Sequence, residues 1–114
     1  MNRQSYTMPD TVKGNTFVGV EFNLQNNGTA IDITGATIEL IAKIWDQEGA
    51  DAVISLDTTD GITITDATEG KFEVDEQVID VEARCYEYDI KVTFPDSTVR
   101  SYIYGNWTII QNYA

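Results

Sequence analysis

Two long runs of alternating apolar and polar residues dominate the pattern of this chain. In residues 85–94, CYEYDIKVTF, the even-numbered positions are apolar or aromatic and the odd-numbered ones are mostly polar. Side chains of a β-strand point alternately to opposite faces, so this run predicts a strand with one buried face. Residues 95–98, PDST, then favour a turn, because proline fixes φ and Asp and Ser bond to nearby backbone.

Residues 99–110, VRSYIYGNWTII, complete the predicted hairpin, since they are rich in the aromatic and β-branched residues typical of strands. Gly105 interrupts this run, and a glycine inside a strand pattern suggests a bulge or a bend. Aromatic residues occupy both even and odd positions here. We therefore expect one face of the strand to enter the core and the other to meet a neighbouring protein.

Shorter strands are predicted along the rest of the chain, at residues 16–24, 36–45, 52–56, 62–65 and 71–74. The predicted buried face of the first consists of Val18, Val20, Phe22 and Leu24. An Asn-Gly pair follows that strand and favours a hairpin turn. Strands that recur about every 8–12 residues, with turn residues between them, predict an all-β sandwich or small barrel.

Two segments fit this pattern less well. Residues 75–84 are compatible with one helical turn or with a crossover between sheets, and we favour the crossover. Residues 1–14 predict an N-terminal arm with room for a short pairing around residues 6–8. Its charge is locally positive, with Arg3 and Lys13 against Asp10. Residues 15–114 are then one β-sandwich domain, as a chain of 114 residues favours.

Composition removes several classes of function. Seven basic residues stand against 19 acidic ones, and a net charge of −12 disfavours nucleic acid as a partner. The chain has no histidine, which removes the commonest general base and the usual activator of a Ser or Cys nucleophile. Its single cysteine, Cys85, cannot form an intrachain disulfide. No apolar run approaches the roughly 18 residues of a membrane span, so no membrane association is expected.

Carboxylates are plentiful enough to raise the question of a metal site. Asp46, Glu48 and Asp51 share one loop, and Asp57 and Asp60 precede a glycine. Neither cluster has the regular spacing of an EF-hand loop. The first is expected to be a solvated loop and the second to be turn chemistry. The sequence thus predicts no metal, no cofactor, no catalytic residue and no enzymatic activity.

Exposed apolar and aromatic residues are the remaining candidates for function. Strand aromatics more often fill a core or an interface than a ligand site, because they bury large apolar areas. If several of Trp45, Tyr102, Tyr104 and Trp107 shared an exposed face, however, they would stack on sugar rings. The candidate interface residues are Tyr6 and Met8 in the arm, Ile41 and Trp45 on one mixed strand face, and Tyr102 and Tyr104 in the last strand.

Several short motifs, taken in their order, resemble a known family. They are DITGAT at residues 32–37, DGITI at 60–64, EGKF at 69–72 and YEYDIKV at 86–92, followed after a polar turn by Tyr104-Gly105. This order is similar to that of small immunoglobulin-like β-sandwich domains in virion proteins of tailed bacteriophages, such as the N-terminal domain of siphophage baseplate upper proteins. The resemblance spans about residues 15–111.

The resemblance implies an immunoglobulin-like antiparallel β-sandwich of about seven or eight strands. It also implies a non-enzymatic structural component of a virion, assembled in the bacterial host cytoplasm. Such a module would act in assembly, as an adaptor or as decoration, with other virion proteins as partners and many copies in a particle. Apart from the resemblance, the arm at residues 1–14 is expected to add a strand to a neighbour or to clamp it, because free strand edges invite pairing. A carbohydrate- or host-receptor-binding module and a calcium-dependent adhesion domain remain as alternatives.

Overall fold

The computed structural model describes residues 4–44 and 52–111, which form an all-β fold. One 3-10 turn, Ala67–Glu69, interrupts the strands. The strands in chain order are β1 Gln4–Ser5, β2 Thr11–Val12, β3 Thr16–Phe17, β4 Val20–Asn23, β5 Gln25–Asn26, β6 Thr29–Ala30, β7 Thr37–Ile44, β8 Ile54–Asp57, β9 Ile62–Asp66, β10 Lys71–Val74, β11 Gln77–Val78, β12 Cys85–Thr93 and β13 Val99–Ile110.

These strands form one large sheet and several smaller ones. The large sheet has the order β1-β13-β12-β7-β8, with β2 also pairing with β13. The second sheet has the order β4-β10-β9, and β3-β11 and β5-β6 form two-stranded pairs. Buried residues of both main sheets belong to one apolar cluster, in which Phe22 and Phe72 of the second sheet stack at 5.3 Å. This arrangement is consistent with a β-sandwich.

The predicted central hairpin is confirmed. In β12 the even-numbered residues from Tyr86 to Val92 are all buried, while the odd-numbered ones are exposed or half-buried. Strand β7 shows the same alternation, with its even-numbered positions from Ile38 to Ala42 fully buried. The turn between β12 and β13 closes through a hydrogen bond from the Phe94 N–H to the Thr98 carbonyl. Alternation was a reliable guide here because both strands lie in the middle of the sheet.

The prediction for residues 16–24 is wrong in part. This run is broken into β3 and β4 at Gly19, whose φ is +86°. The break shifts the alternation, so that Phe17 is buried and Val18 is 74% exposed. Phe22 and Leu24 are buried as predicted.

The predicted bulge at Gly105 is also misplaced. Ile90 pairs with Ile103 and Lys91 pairs with Ser101, which leaves Tyr102 as the extra residue of a bulge. Gly105 stays in regular register opposite Tyr88. It is needed for a different reason, because a Cβ at this position would lie 2.0 Å from the Tyr6 carbonyl oxygen. A glycine in a strand can thus mark the close approach of another backbone.

Residues 4–13 account for that close approach, since they run along the free edge of β13. Strand β1 pairs in parallel with β13 near Ile103 and Tyr104, and β2 pairs in parallel near Ile109 and Ile110. Between them the Met8 N–H donates to the Asn106 carbonyl. The described part of the predicted arm is therefore an edge strand of the large sheet and does not project from the body.

The crossover predicted for residues 75–84 is confirmed. It carries the short strand β11, which pairs with β3, and it contains no helix. The crossover leads from β10 in the second sheet to β12 in the large sheet. At its end the Tyr86 hydroxyl donates to the Glu82 carbonyl at 2.5 Å. This bond ties the start of β12 to the chain that enters it.

Three aspartates, Asp32, Asp57 and Asp96, each organise a turn. Each carboxylate accepts the backbone N–H of the threonine two residues later, at 2.9 Å in all three turns. The turn chemistry predicted for Asp57 is thus confirmed. Hydrogen bonds from the threonine hydroxyl and backbone N–H hold the pKa of Asp32 and Asp57 below its ordinary value of 3.8. The backbone bond is the larger cause of the same lowering at Asp96.

These turns are expected to contribute to acid sensitivity. The folded pKa of each carboxyl lies below its unfolded value, so its stabilising effect is present above the unfolded pKa and is lost as pH falls through the folded pKa. The free energy of unfolding of the wild type should therefore fall more steeply below about pH 4 than that of D32N/D57N/D96N. Urea denaturation at successive pH values measures this. Identical slopes would contradict the role of the turns.

Candidate functional site

The outer face of the large sheet brings two of the predicted interface residues together. Tyr104 of β13 lies opposite Asp89 of β12, which lies opposite Ile41 of β7, which lies opposite Ser55 of β8. We call these four residues the contact row. Tyr104 is 40% exposed and Ile41 is half-buried. Sequence alternation placed Asp89 on the polar face of its strand and Ile41 on a mixed face, but only the strand order places the four residues in one row.

The outer face around the contact row is nearly balanced in charge. Outward-facing positions of the three long strands β7, β12 and β13 carry three carboxylates and two ammonium groups, a net charge of −1, and Asp57 of β8, which lies opposite Glu39, brings the face to −2. The acidic residues are Glu39, Glu87 and Asp89, and the basic ones are Lys43 and Lys91. The whole chain carries −12. Because like charges repel across an interface, this face is better suited to close approach than the average surface of the chain.

A hydrogen bond orders the polar centre of the contact row. The Ser101 hydroxyl donates to the Asp89 carboxylate across the pair of strands β12 and β13. Asp89 is half-buried in this position, between the side chains of its cross-strand neighbours Tyr104 and Ile41. An acceptor held in this way, with apolar groups on either side, gives the surface a defined pattern for a partner to match.

Two predicted interface residues are instead part of the core. Met8 is 1% exposed, because the segment that contains it folds over the edge of β13 and turns this side chain inward. Tyr102 is 7% exposed, because it is the extra residue of the bulge and packs edge-on against Phe94. Contrary to the prediction, neither residue lies on an exposed surface of the folded chain.

The other two predicted interface residues are apart from the contact row. Tyr6 is 39% exposed and packs edge-on against Phe22 of β4, with ring centroids 5.3 Å apart. It therefore bridges the N-terminal segment and the second sheet. Trp45 lies outside the described residues, as does the acidic loop at 46–51.

A second feature, which the sequence did not reveal, is the site along the edge of β13 that binds residues 4–13. We call this site, with the side chains of Tyr88 and Trp107, the seat of the N-terminal segment. The Tyr88 hydroxyl donates to the Tyr6 carbonyl, and the Trp107 indole Nε1–H donates to the Thr11 hydroxyl at 3.1 Å. Tyr88 and Trp107 are both buried in the core. A buried indole N–H needs a partner, which was a clue that a polar residue would lie nearby. The sequence could not reveal that the partner is 96 positions away.

The buried environment keeps the Tyr88 phenol in its protonated form. Burial, aided by the neighbouring phenol of Tyr6, raises the pKa of Tyr88 well above its ordinary value. The hydroxyl therefore remains a hydrogen-bond donor at any physiological pH, and the Tyr6 carbonyl remains its acceptor. The seat is suited to binding an extended strand, because it offers the backbone edge of β13 and two fixed hydrogen-bond donors.

Ligand sites of other kinds have little support in the described residues. Within 4–44 and 52–111, no group of three or more Cys, Asp or Glu side chains is placed to hold a metal ion. A shallow cleft of about 230 Å³ has polar lining from Asn23, Gln25, Glu69 and Lys71 and contains no aromatic ring. In the same part of the chain, no helix is long and apolar enough to cross a membrane.

The described aromatic residues also give little support to a site for stacking on sugar rings. Of those considered for it, Tyr102 and Trp107 are buried, and Tyr104 is exposed. Among the candidates that the structure describes, Tyr104 by itself does not form the multi-ring platform on which the carbohydrate alternative depended.

Comparison with known proteins finds no match for this chain, whether among protein-family models, curated proteins or solved structures.

Proposed function

We propose that this chain is a non-enzymatic assembly module that binds neighbouring proteins through the contact row on the outer face of its large sheet. One observation carries the proposal. On a chain of net charge −12, the outward positions of β7, β12 and β13 have a net charge of only −1 and include the exposed Tyr104 and the half-buried Ile41. Low net charge with exposed apolar area favours association.

The proposal includes an immunoglobulin-like topology, which the strand order supports. In such domains the second, fifth and fourth strands form one sheet, and the third, sixth and seventh form the other. Here β4, β10 and β9 form the first of these sheets in the corresponding chain order. Strands β7, β12 and β13 form the other, and β8 is added beside β7 as in variable-type domains.

A hydrogen bond at the start of β12 supports the same topology. Immunoglobulin-like domains often have a tyrosine near the start of the sixth strand whose hydroxyl bonds to backbone a few residues upstream. Tyr86 occupies this place, and its hydroxyl donates to the Glu82 carbonyl. The chain departs from antibody domains in two ways, since it has a single cysteine and its buried Trp107 lies on the last strand.

Replacing Tyr86 by phenylalanine is expected to lower the free energy of unfolding by about 0.5–1.5 kcal/mol, because it removes this hydrogen bond and keeps the ring. Burial raises the pKa of Tyr86, so its hydroxyl is a donor throughout the neutral range. Urea denaturation measures the change. Tyr6→Phe is a matched control at an exposed ring, with an expected change within about 0.5 kcal/mol. Equal effects of the two variants would contradict a special role for Tyr86.

A tailed-phage virion is the proposed setting of this module, with other virion proteins as partners and several copies in each particle. The ordered motifs that resemble phage immunoglobulin-like domains support it, and so does a fold with no catalytic constellation in the described residues. The module would then be made in the bacterial host cytoplasm and end in the particle. Mass spectrometry of particles encoded by the same genome tests this setting. Purified particles that lack the chain would refute it.

Substitution of the contact row tests the binding surface. I41S/Y104S is expected to reduce concentration-dependent association of the purified chain, measured by sedimentation velocity, and to reduce its incorporation into particles. Both side chains point away from the core, so the melting temperature should stay close to that of the wild type. Val18→Ser is the matched control, because Val18 is 74% exposed but lies far from the contact row in the strand order. Equal association by all three proteins would exclude the contact row as the interface.

A further inference from the structure

We propose that the seat along β13 also accepts residues 4–13 of a second copy of this chain, so that neighbouring copies exchange this segment. The proposal concerns a surface separate from the contact row. It depends on the proposed function only in that a multi-copy particle would bring copies close together. Its occupant is specific, because the segment that fills the seat within one chain is present in every other copy.

The seat is built to hold one particular stretch of backbone. Main-chain carbonyls of Tyr104, Asn106 and Ile110 accept N–H groups from Tyr6, Met8 and Lys13 at 2.8–3.0 Å. These bonds cover the length of β13 from its centre to its end. The edge of β13 is therefore a strand-addition site with three main-chain contacts, of the kind by which extended segments join a sheet.

Side chains from the rest of the fold make the seat selective for this segment and make its empty state unfavourable. Two buried donors, the Tyr88 hydroxyl and the Trp107 indole N–H, find their acceptors on residues 6 and 11 of the segment. A buried donor left without a partner is strongly destabilising, because it has lost its hydrogen bonds to water and gained none in the protein. Met8 also fills a position in the apolar cluster. The folded body thus requires this segment from some source.

Nothing in these contacts requires the segment to come from the same chain. The covalent connection between this segment and the rest of the sandwich is the turn at 13–15, where the Asn15 N–H donates to the Val12 carbonyl. Gly14 has φ of +82°, and a Cβ built on it would meet no atom within 4 Å. Opening this turn breaks the Val12–Asn15 bond and the bond from the Gly14 N–H to the Ile79 carbonyl, and it leaves the contacts of residues 4–13 with β13 unchanged. Unchanged contacts are the requirement for exchange of an identical element between copies.

Length and charge favour a second copy as the donor. Ten residues in extended form span about 33 Å, more than the two shorter dimensions of the molecule, 28 and 25 Å. Residues 1–14 carry a net charge of +1, from two basic residues against one acidic, and the remainder of the −12 chain carries −13. Residues 4–13 alone are neutral, with Lys13 against Asp10, so this segment approaches the acidic body of a neighbour without the repulsion that acts between two bodies.

Close packing of copies would shift the equilibrium from the closed chain toward the exchanged form. Contacts within one chain and between two chains are identical, so the balance depends on local concentration and on the turn. In a multi-copy assembly the local concentration of segments reaches the millimolar range, as for short tethers. We therefore expect exchange to be slow and rare in dilute solution and to increase with protein concentration.

A cross-linking experiment between two different full-length chains tests the exchange. One chain carries Cys85→Ser and Thr7→Cys, and the other carries Cys85→Ser and Asn106→Cys with a size tag. Residues 7 and 106 are neighbours in the parallel pair, because Ser5 lies opposite Tyr104 and the Met8 N–H donates to the Asn106 carbonyl. Neither chain can cross-link internally. After incubation together near the start of the melting transition, a short bifunctional thiol reagent should produce a heterodimer on a denaturing gel.

The control chain replaces Asn106→Cys with Thr63→Cys, an exposed position on β9 of the other sheet. Its yield measures random collisions, and the Thr7/Asn106 pair should exceed it several-fold. A yield equal to the control would overturn the proposal.

The same measurement separates the two proposals. Exchange that persists in an I41S/Y104S background means that the contact row is not needed for it, whatever that surface binds. Gly14→Pro gives a second readout, because proline cannot adopt the positive φ of the turn. This variant should shift the chain toward dimers in sedimentation velocity. A Gly14→Pro chain that is folded and entirely monomeric would also overturn the exchange.

Discussion

Replacing Ile90 by alanine is expected to lower the free energy of unfolding by about 2–5 kcal/mol. Ile90 lies at the centre of β12, between Leu40 of β7 and Ile103 of β13, and is fully buried. Because both flanking strands are fixed by long hydrogen-bonded ladders, they cannot close over the space that alanine would leave. The loss therefore combines transfer free energy with the cost of a cavity. Urea denaturation measures it, and the slope of the transition should not change.

Lys91→Ala is the matched control for this variant. Lys91 is the next residue of β12 but points to the outer face, between Ser101 and Glu39, where it is exposed. Its replacement should change stability by less than about 0.5 kcal/mol. If the control were the more damaging of the two, the inward and outward faces of β12 would have to be interchanged.

Gly105→Ala is expected to displace the N-terminal segment and to lower stability by about 1–3 kcal/mol or more, as overpacking of a closed site does. The new methyl group would lie 2.0 Å from the Tyr6 carbonyl oxygen and 3.3 Å from the Tyr88 ring. The first of these atoms is main chain, so it cannot move without the segment. Displacement would also separate the Tyr6 carbonyl from the buried Tyr88 hydroxyl, which is its donor.

Hydrogen exchange distinguishes this mechanism from general loss of stability. The amides of Tyr6 and Met8 donate to β13 and should exchange much faster in Gly105→Ala, while those in the centre of β12 should remain protected. Asn106→Ala, at the adjacent exposed position, should leave both sets of amides as in the wild type. Unchanged protection of Tyr6 and Met8 in Gly105→Ala would mean that the segment does not cross at this glycine.

Sequence alternation predicted most of the large sheet because its central strands are long and have one buried face. Strand β12 is flanked on both sides, so each inward position must be apolar and each outward one must tolerate water. The same rule failed at residues 16–24, where the break at Gly19 exposes Val18 and buries Phe17. The faces of the short strands β3 and β4 are determined by the strands with which they pair, β11 and β10, and these lie far away in the sequence.

The contact row and the seat of the N-terminal segment were beyond prediction for a related reason. Each depends on which strands become neighbours. Tyr104 and Ile41 are 63 positions apart in sequence and share a row only because β12 lies between their strands. Residues 1–14 suggested an arm because they are weak strand formers. Parallel pairing with β13 overrides that weak propensity, through backbone bonds and the burial of Met8.

The parallel pairing of residues 4–13 with β13 determines how the molecule would bear mechanical load. Gln4 lies beside Ile103, and Val12 lies beside Ile110, so the beginning of the segment and the end of β13 are at opposite ends of the pair. Tension applied between residues 4 and 110 pulls the two strands along each other. Their hydrogen bonds then share the load and must break together, and they cannot break one after another.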